Sequence, residues 1–133
     1  MKKVITVGVF DLFHLGHFNL LKHASTHGDN LIVGVHDDKL NTKGVDFLYS
    51  LEERLEIIEA LKFVYKSLPY ERVDLFLEKN EFDVFVHGPD QNHQYFQKAI
   101  EYCKKNGKGV VELSRTDGIS SSDIRDYVSE RNV

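Results

Sequence analysis

The chain lacks the features that mark several large classes of protein. It has one cysteine, Cys103, in 133 residues, so an internal disulfide is excluded and a reducing, cytoplasmic setting is expected. No apolar run approaches the roughly 20 residues that a membrane-spanning helix needs. Met1-Lys2-Lys3-Val4 leads directly into a strand-like segment, with neither the apolar stretch nor the small-residue cleavage site of a secretion signal. Basic residues are not in excess: 17 Lys and Arg stand against 21 Asp and Glu, a net charge of −4. That balance gives no basic footprint for DNA or RNA. Linkers, internal repeats and low-complexity tracts are missing too, so one domain over residues 1–133 is expected. The phosphate-binding fingerprints G-x-x-x-x-G-K-[ST] and G-x-G-x-x-G are also absent. A protein of this balance that handles nucleotides must concentrate its positive groups locally.

What is present is a regular alternation of strand-like and helix-like segments. Hydrophobic residues make up 41% of the chain and charged residues 29%, enough apolar content for a core and too much for disorder. Val4-Ile5-Thr6-Val7 and Leu31-Ile32-Val33-Gly34-Val35 predict two buried strands. Between them His17, Leu20, Leu21 and Ala24 recur at helical spacing, with Gly28 as the expected stop. A polar loop from His36 to Tyr49 precedes Ser50-Leu51-Glu52-Glu53, which has the form of a capping box opening a helix with Leu51, Leu55 and Ile58 on one face. Phe63 to Leu68 predicts a third, weaker strand, Arg72 to Glu78 a short helix, and Asp83 to Val86 a strand. Gln91 to Asn106 predicts a helix ended by Gly107, with Cys103 in register with Phe96, Ala99 and Ile100 as a packed core thiol. Val110 to Leu113 predicts a last strand, and Ser120 to Asp123 a cap for a final helix with Ile124, Tyr127 and Val128 inward. Such alternation implies an α/β fold, a Rossmann-like doubly wound parallel sheet of about five strands. Ligands on these sheets sit in the loops after the strands' carboxyl ends.

The first such loop is Gly8-Val9-Phe10-Asp11-Leu12-Phe13-His14-Leu15-Gly16-His17. It leaves a strand and enters a helix, where free amides can receive a phosphate. Gly16 permits close approach of backbone and ligand, and two imidazoles at that turn can both donate to one phosphoryl group. A zinc pair is the competing reading. Helical zinc histidines usually stand at i and i+4, and no third ligand lies nearby, which argues against it.

Gly8-x-Phe10-Asp11 followed by His14-x-Gly16-His17 resembles the signature of the HxGH nucleotidyltransferase superfamily, and His36-Asp37-Asp38 fits the same pattern. Arg115-Thr116-Asp117-Gly118-Ile119-Ser120-Ser121-Ser122 resembles the RTEGIS(T/S) motif of its cytidylyltransferase branch. That branch includes glycerol-3-phosphate, phosphocholine and phosphoethanolamine cytidylyltransferases. The resemblance spans nearly the whole chain and implies transfer of CMP from CTP to a small phosphorylated alcohol, with release of pyrophosphate. It implies that His14 and His17 stabilise charge on the α-phosphate, and that amides around Gly8, Val9, Phe10 and Asp11 hold it. Lys43, followed by Gly44, would bridge the α-phosphate and the incoming phosphate. Arg54 would face the substrate phosphates, Asp90 would lie beside the base, and Arg115 near the nucleotide. Thr116, Gly118, Ile119, Ser120 and Ser121 would complete the nucleotide site. Mg²⁺ would arrive on the nucleotide phosphates with no protein metal site, and the enzyme would be a homodimer. Taken singly, several of these residues have plainer roles: Arg54 and Lys43 as solvated surface charges, Asp90 as a turn residue, Ser120 as a helix cap.

The chain departs from the family pattern in places. Val9 replaces a hydroxyl residue, Lys62-Phe63-Val64-Tyr65 stands for an arginine-tyrosine-valine-aspartate stretch at the relatives' dimer interface, and Pro89 replaces an acid. Gln91 follows Asp90 where glycerol-3-phosphate enzymes often carry tryptophan, and Val33 to Asp38 with Val86-His87-Gly88 looks closer to the phosphoethanolamine enzymes. Two alternatives fit the same residues: transfer of AMP to a phosphorylated sugar or flavin precursor, and a non-catalytic nucleotide-binding module.

Overall fold

Strand and helix alternate through the computed structural model, which describes residues 1–37, 48–88 and 93–113. In chain order the elements are β1 Lys3–Gly8, α1 Leu15–Ser25, β2 Asn30–His36, α2 Leu51–Glu59, β3 Lys66–Tyr70, α3 Val73–Lys79, β4 Val84–His87, α4 Gln94–Lys105 and β5 Gly109–Glu112. The strands form one sheet in the order β3-β2-β1-β4-β5, every adjacent pair parallel. The chain winds outward from β1 to β3, then crosses back to β4 and β5. The switch in strand order therefore falls between β1 and β4, the position where such sheets open a crevice.

β1 and β2 are buried along their whole centres, and apolar but for Thr6, because both faces of the sheet are covered. Val4 packs on one side with Leu21 and Ala24 of α1 and Ile58 of α2. The next residue, Ile5, packs on the other with Phe76 and Leu77 of α3 and Phe96, Ala99 and Cys103 of α4. The period-two alternation of a strand thus feeds two cores. The expected doubly wound sheet is present, and no helix among the described residues is long and apolar enough to cross a membrane.

Several boundaries differ from the sequence expectation. β3 begins at Lys66 instead of Phe63, because Leu61 to Val64 form a turn, closed by Val64 N–H to Leu61 O at 3.1 Å, that tucks Val64 into the core. Pro69 is tolerated in β3 because that strand is the sheet edge, where a missing N–H breaks no ladder on its open side. α1 ends at Ser25, three residues before Gly28. Gly28 answers a different demand: a Cβ there would lie 2.7 Å from Val4 Cγ2 and 2.8 Å from the Lys2 carbonyl oxygen. β4 and β5 are each displaced by one residue from the expected spans. The expected final helix lies outside the described residues.

Candidate active site

The β1–α1 loop is bent by two left-handed residues, Phe10 at φ 57° and Leu12 at φ 49°. Side chains with a Cβ rarely adopt that region, and each such residue costs on the order of 1–3 kcal/mol and persists only where its surroundings enforce it. Here they do. The Phe10 ring is buried and lies over Gly8, where a Cβ would fall 2.6 Å from Phe10 Cζ. Gly8 is therefore required by the ring that anchors the loop. The Asp11 carboxylate is buried as well, and its two oxygens accept the amide N–H groups of Leu48 at 2.9 Å and Tyr49 at 3.0 Å.

The loop delivers His14 to the N-cap of α1 and His17 to its first turn. Helix starts leave amides without partners, and the two histidines satisfy them reciprocally. His14 Nδ1 accepts the Gly16 N–H at 3.0 Å, and His17 Nδ1 accepts the His14 N–H at 3.4 Å. The arrangement is a capping box built from imidazoles. A neutral ring whose Nδ1 accepts carries its proton on Nε2, so each histidine presents an N–H donor on the edge opposite the helix amides. The rings stack at 3.9 Å, and His17 also contacts Phe10 at 5.4 Å and Phe13 at 5.6 Å. Two positive charges at that separation repel by about 4 kcal/mol at an effective dielectric of 20. The arrangement therefore suits two neutral rings, each with Nδ1 accepting from a backbone amide.

Arg54 is fully buried, which excludes the solvated ion-pair reading. Its Nε–H donates to Tyr49 O at 3.1 Å, and Nη1 donates to Val9 O at 3.0 Å and His36 O at 2.8 Å. The helix that carries it starts with the expected capping box. Ser50 Oγ accepts the Glu53 N–H at 3.1 Å, and a Glu53 carboxylate oxygen accepts the Ser50 N–H at 3.0 Å. The carboxyl ends of the adjacent strands β1 and β2 are thereby fastened to the start of α2.

At the end of β4 the ring of His87 is buried against Phe96 at 4.8 Å, and its Nδ1 lies 2.8 Å from Gly88 O, the geometry of an N–H donated to that carbonyl. The structure thus brings Gly8, Val9, Phe10, Asp11, His14, Gly16, His17 and Arg54 to one edge of the sheet. Lys43, Asp90, Arg115, Thr116, Gly118, Ile119, Ser120 and Ser121 lie outside the described residues. The sequence reading missed two things: the capping role of the histidines, and the buried setting of Arg54 and Asp11. The first was within reach, since His14 and His17 stand at the N-cap and N3 spacing. The second was not, because its partners are far apart in sequence.

Comparison with known proteins bears on this geometry. The cytidylyltransferase-like family matches residues 5–127. A glycerol-3-phosphate cytidylyltransferase from Bacillus spizizenii is 42% identical over 129 residues, covering 94% of this chain and 95% of the relative. An ethanolamine-phosphate cytidylyltransferase from Dictyostelium discoideum is 34% identical over 128 residues, covering 92% of this chain and 35% of that longer protein. Among solved structures, the lipopolysaccharide core biosynthesis protein from Thermoplasma volcanium GSS1 superposes with a TM-score of 0.72 at 27% identity, covering 87% of this chain and 97% of that one.

Proposed function

Because the chain belongs to the cytidylyltransferase-like family of enzymes, we propose that it transfers CMP from CTP to a small phosphorylated alcohol and releases pyrophosphate. The observation that carries the mechanism is the stacked pair His14 and His17, with each Nδ1 tied to a backbone amide. In the reaction an oxygen of the acceptor's phosphate attacks the α-phosphorus of CTP. The bond from that phosphorus to its β-bridging oxygen breaks, and pyrophosphate leaves with the electron pair. A phosphate monoester has its second pKa near ~6, so at neutral pH the nucleophile is already deprotonated and no general base is required. What the protein supplies is position and charge stabilisation.

The two Nε2–H donors meet the α-phosphoryl oxygens as charge shifts onto them. At about 1.5–3 kcal/mol for each bond to a charged group, the pair accounts for about two to four orders of magnitude in rate. Lys43 and Arg115 hold the two anions together, and Arg115 to Ser121 select the nucleotide. Mg²⁺ would enter on the phosphates of CTP and would neutralise part of their charge. The loop's own carboxylate, Asp11, has its oxygens on two backbone amides.

Glycerol 3-phosphate is the first acceptor to test, since the relative bearing that name aligns over nearly its whole length. Phosphoethanolamine is the second. The enzyme acts as a homodimer, and Tyr65, 61% exposed on the turn into β3, lies in the stretch that resembles the relatives' interface. Pyrophosphate release from a panel of phosphorylated alcohols with CTP, and in parallel with ATP, tests the reading. Turnover with ATP exceeding that with CTP overturns the choice of nucleotide, and no release with either overturns the activity. Sedimentation at micromolar concentration tests the dimer.

A further inference from the structure

We propose that Arg54 and Asp11 form a clamp that sets the histidine loop before any ligand binds, so that Arg54 serves the reaction as a positioning residue without touching substrate. The kinetic part of this proposal rests on the transferase reading, and the structural part stands without it. The clamp closes on three stretches of chain. From α2, the Arg54 guanidinium reaches Val9 O after β1, His36 O at the end of β2, and Tyr49 O before its own helix. From the β1–α1 loop, Asp11 takes the Leu48 and Tyr49 amides. Tyr49 is thus held through both its N–H and its carbonyl, and the two ends of the β2–α2 connection are fixed to the loop that carries the histidines.

The geometry argues for positioning over substrate contact. The Val9 carbonyl belongs to the peptide plane adjoining Phe10, whose φ is 57°. The Arg54 bond to it therefore bears directly on the unusual turn that aims the loop. Both Nη1 hydrogens and the Nε hydrogen point at backbone oxygens, and the residue has no exposed surface. Three of the five guanidinium hydrogens are thus committed to the backbone, and redirecting those three to a phosphate would leave buried carbonyls without partners, an expensive exchange. The planar fork of arginine spans three acceptors in fixed directions, which a lysine ammonium on a flexible stem does not reproduce. Donors held in place before the reaction need no reorganisation during it, which is how such a device acts on the rate.

The decisive comparison is wild type against Arg54→Lys, first without ligand. Amide hydrogen exchange at Leu48 and Tyr49 is expected to quicken at least tenfold in the variant. The ¹⁵N signals of His14 and His17 are expected to lose the pattern of a fixed Nε2–H tautomer, while thermal unfolding stays cooperative. With substrates, kcat is expected to fall a hundredfold or more while KM for CTP moves less than threefold. Combining Arg54→Lys with His14→Ala should add little to the loss from either alone. Unchanged exchange and histidine signals in the ligand-free variant, with KM for CTP raised tenfold or more, overturn the clamp in favour of direct phosphate contact. Should the variant fail to fold, titrating wild type with MgCTP decides instead. The Arg54 ¹⁵Nε signal is expected to stay in place while those of His14 and His17 move, and a shift of equal size at Arg54 overturns the proposal. If MgCTP moves none of the three and no pyrophosphate is released, the transferase reading fails, and ligand-free amide exchange at Leu48 and Tyr49 in Asp11→Asn judges the clamp instead, quickened exchange supporting it and unchanged exchange overturning it.

Discussion

His14 has two tasks, and two substitutions separate them. Its Nδ1 caps α1 by accepting the Gly16 N–H at 3.0 Å, while its Nε2–H is assigned to the α-phosphate. His14→Ala removes both. Losing an N-cap acceptor costs about 1 kcal/mol, which for a domain of this size lowers Tm by roughly 3–6 °C. Losing one preorganised donor to the shifting phosphate charge lowers kcat by about 10²–10³. His14→Asn divides the effects. Asparagine places its side-chain oxygen on Cγ, where histidine has Nδ1, and is among the best N-caps. It has nothing where Nε2 stood. Tm of the ligand-free His14→Asn protein is therefore expected within about 2 °C of wild type, with kcat still down by about a hundredfold or more. Thermal unfolding without ligand and steady-state pyrophosphate release read the two quantities independently. If Asn restores kcat together with Tm, the ring is a cap only and the donor role is wrong. If Ala leaves Tm unmoved, the capping geometry contributes nothing to stability.

Three further predictions concern the rest of the molecule. Thr6, fully buried in β1, has a hydroxyl with no hydrogen-bond partner among the described residues. Thr6→Val is expected to stabilise by about 1–2 kcal/mol, since an unsatisfied polar group is exchanged for a methyl of the same shape; a lowered Tm counts against that reading. Asp74 is buried, and burial alone would raise its pKa, but two bonds and the charge of Arg72, at 3.2 and 2.7 Å, carry it below the usual carboxylate range. Its folded pKa lies below the unfolded value of about 3.9, so the pair stabilises above about pH 4 and the contribution fades as pH falls. Asp74→Asn should therefore show a Tm deficit at pH 6 that closes toward pH 2, and a deficit independent of pH refutes the pairing. Burial pushes the Cys103 thiol up to about 11, so Ellman's reagent at pH 8 should label it only once denaturant unfolds the chain.

Much of the fold is local, and for that reason legible. The runs Val4 to Val7 and Leu31 to Val35, rich in β-branched residues, have no charged face, which suits a sheet covered on both sides, and the structure covers both. Ser50 and Glu53 stand three residues apart, and their reciprocal bonds follow from helix geometry alone. Cys103 shares a helical face with Phe96 and Ala99, and all three are buried together. The third strand was misplaced because the turn from Leu61 to Val64 uses the same apolar residues that a strand would, and only pairing with β2 decides between them.

The sequence by itself determined the order of elements, the covered sheet, and the presence of two histidines at a helix start, because those depend on spacings of two to four residues. Only the tertiary structure decided what Arg54 and Asp11 do. Arg54 bonds residues 45 and 18 positions away, and Asp11 bonds residues 37 and 38 positions away. A buried guanidinium and a solvated one have the same one-letter code, and what distinguishes them is the set of carbonyls that folding brings within 3.1 Å.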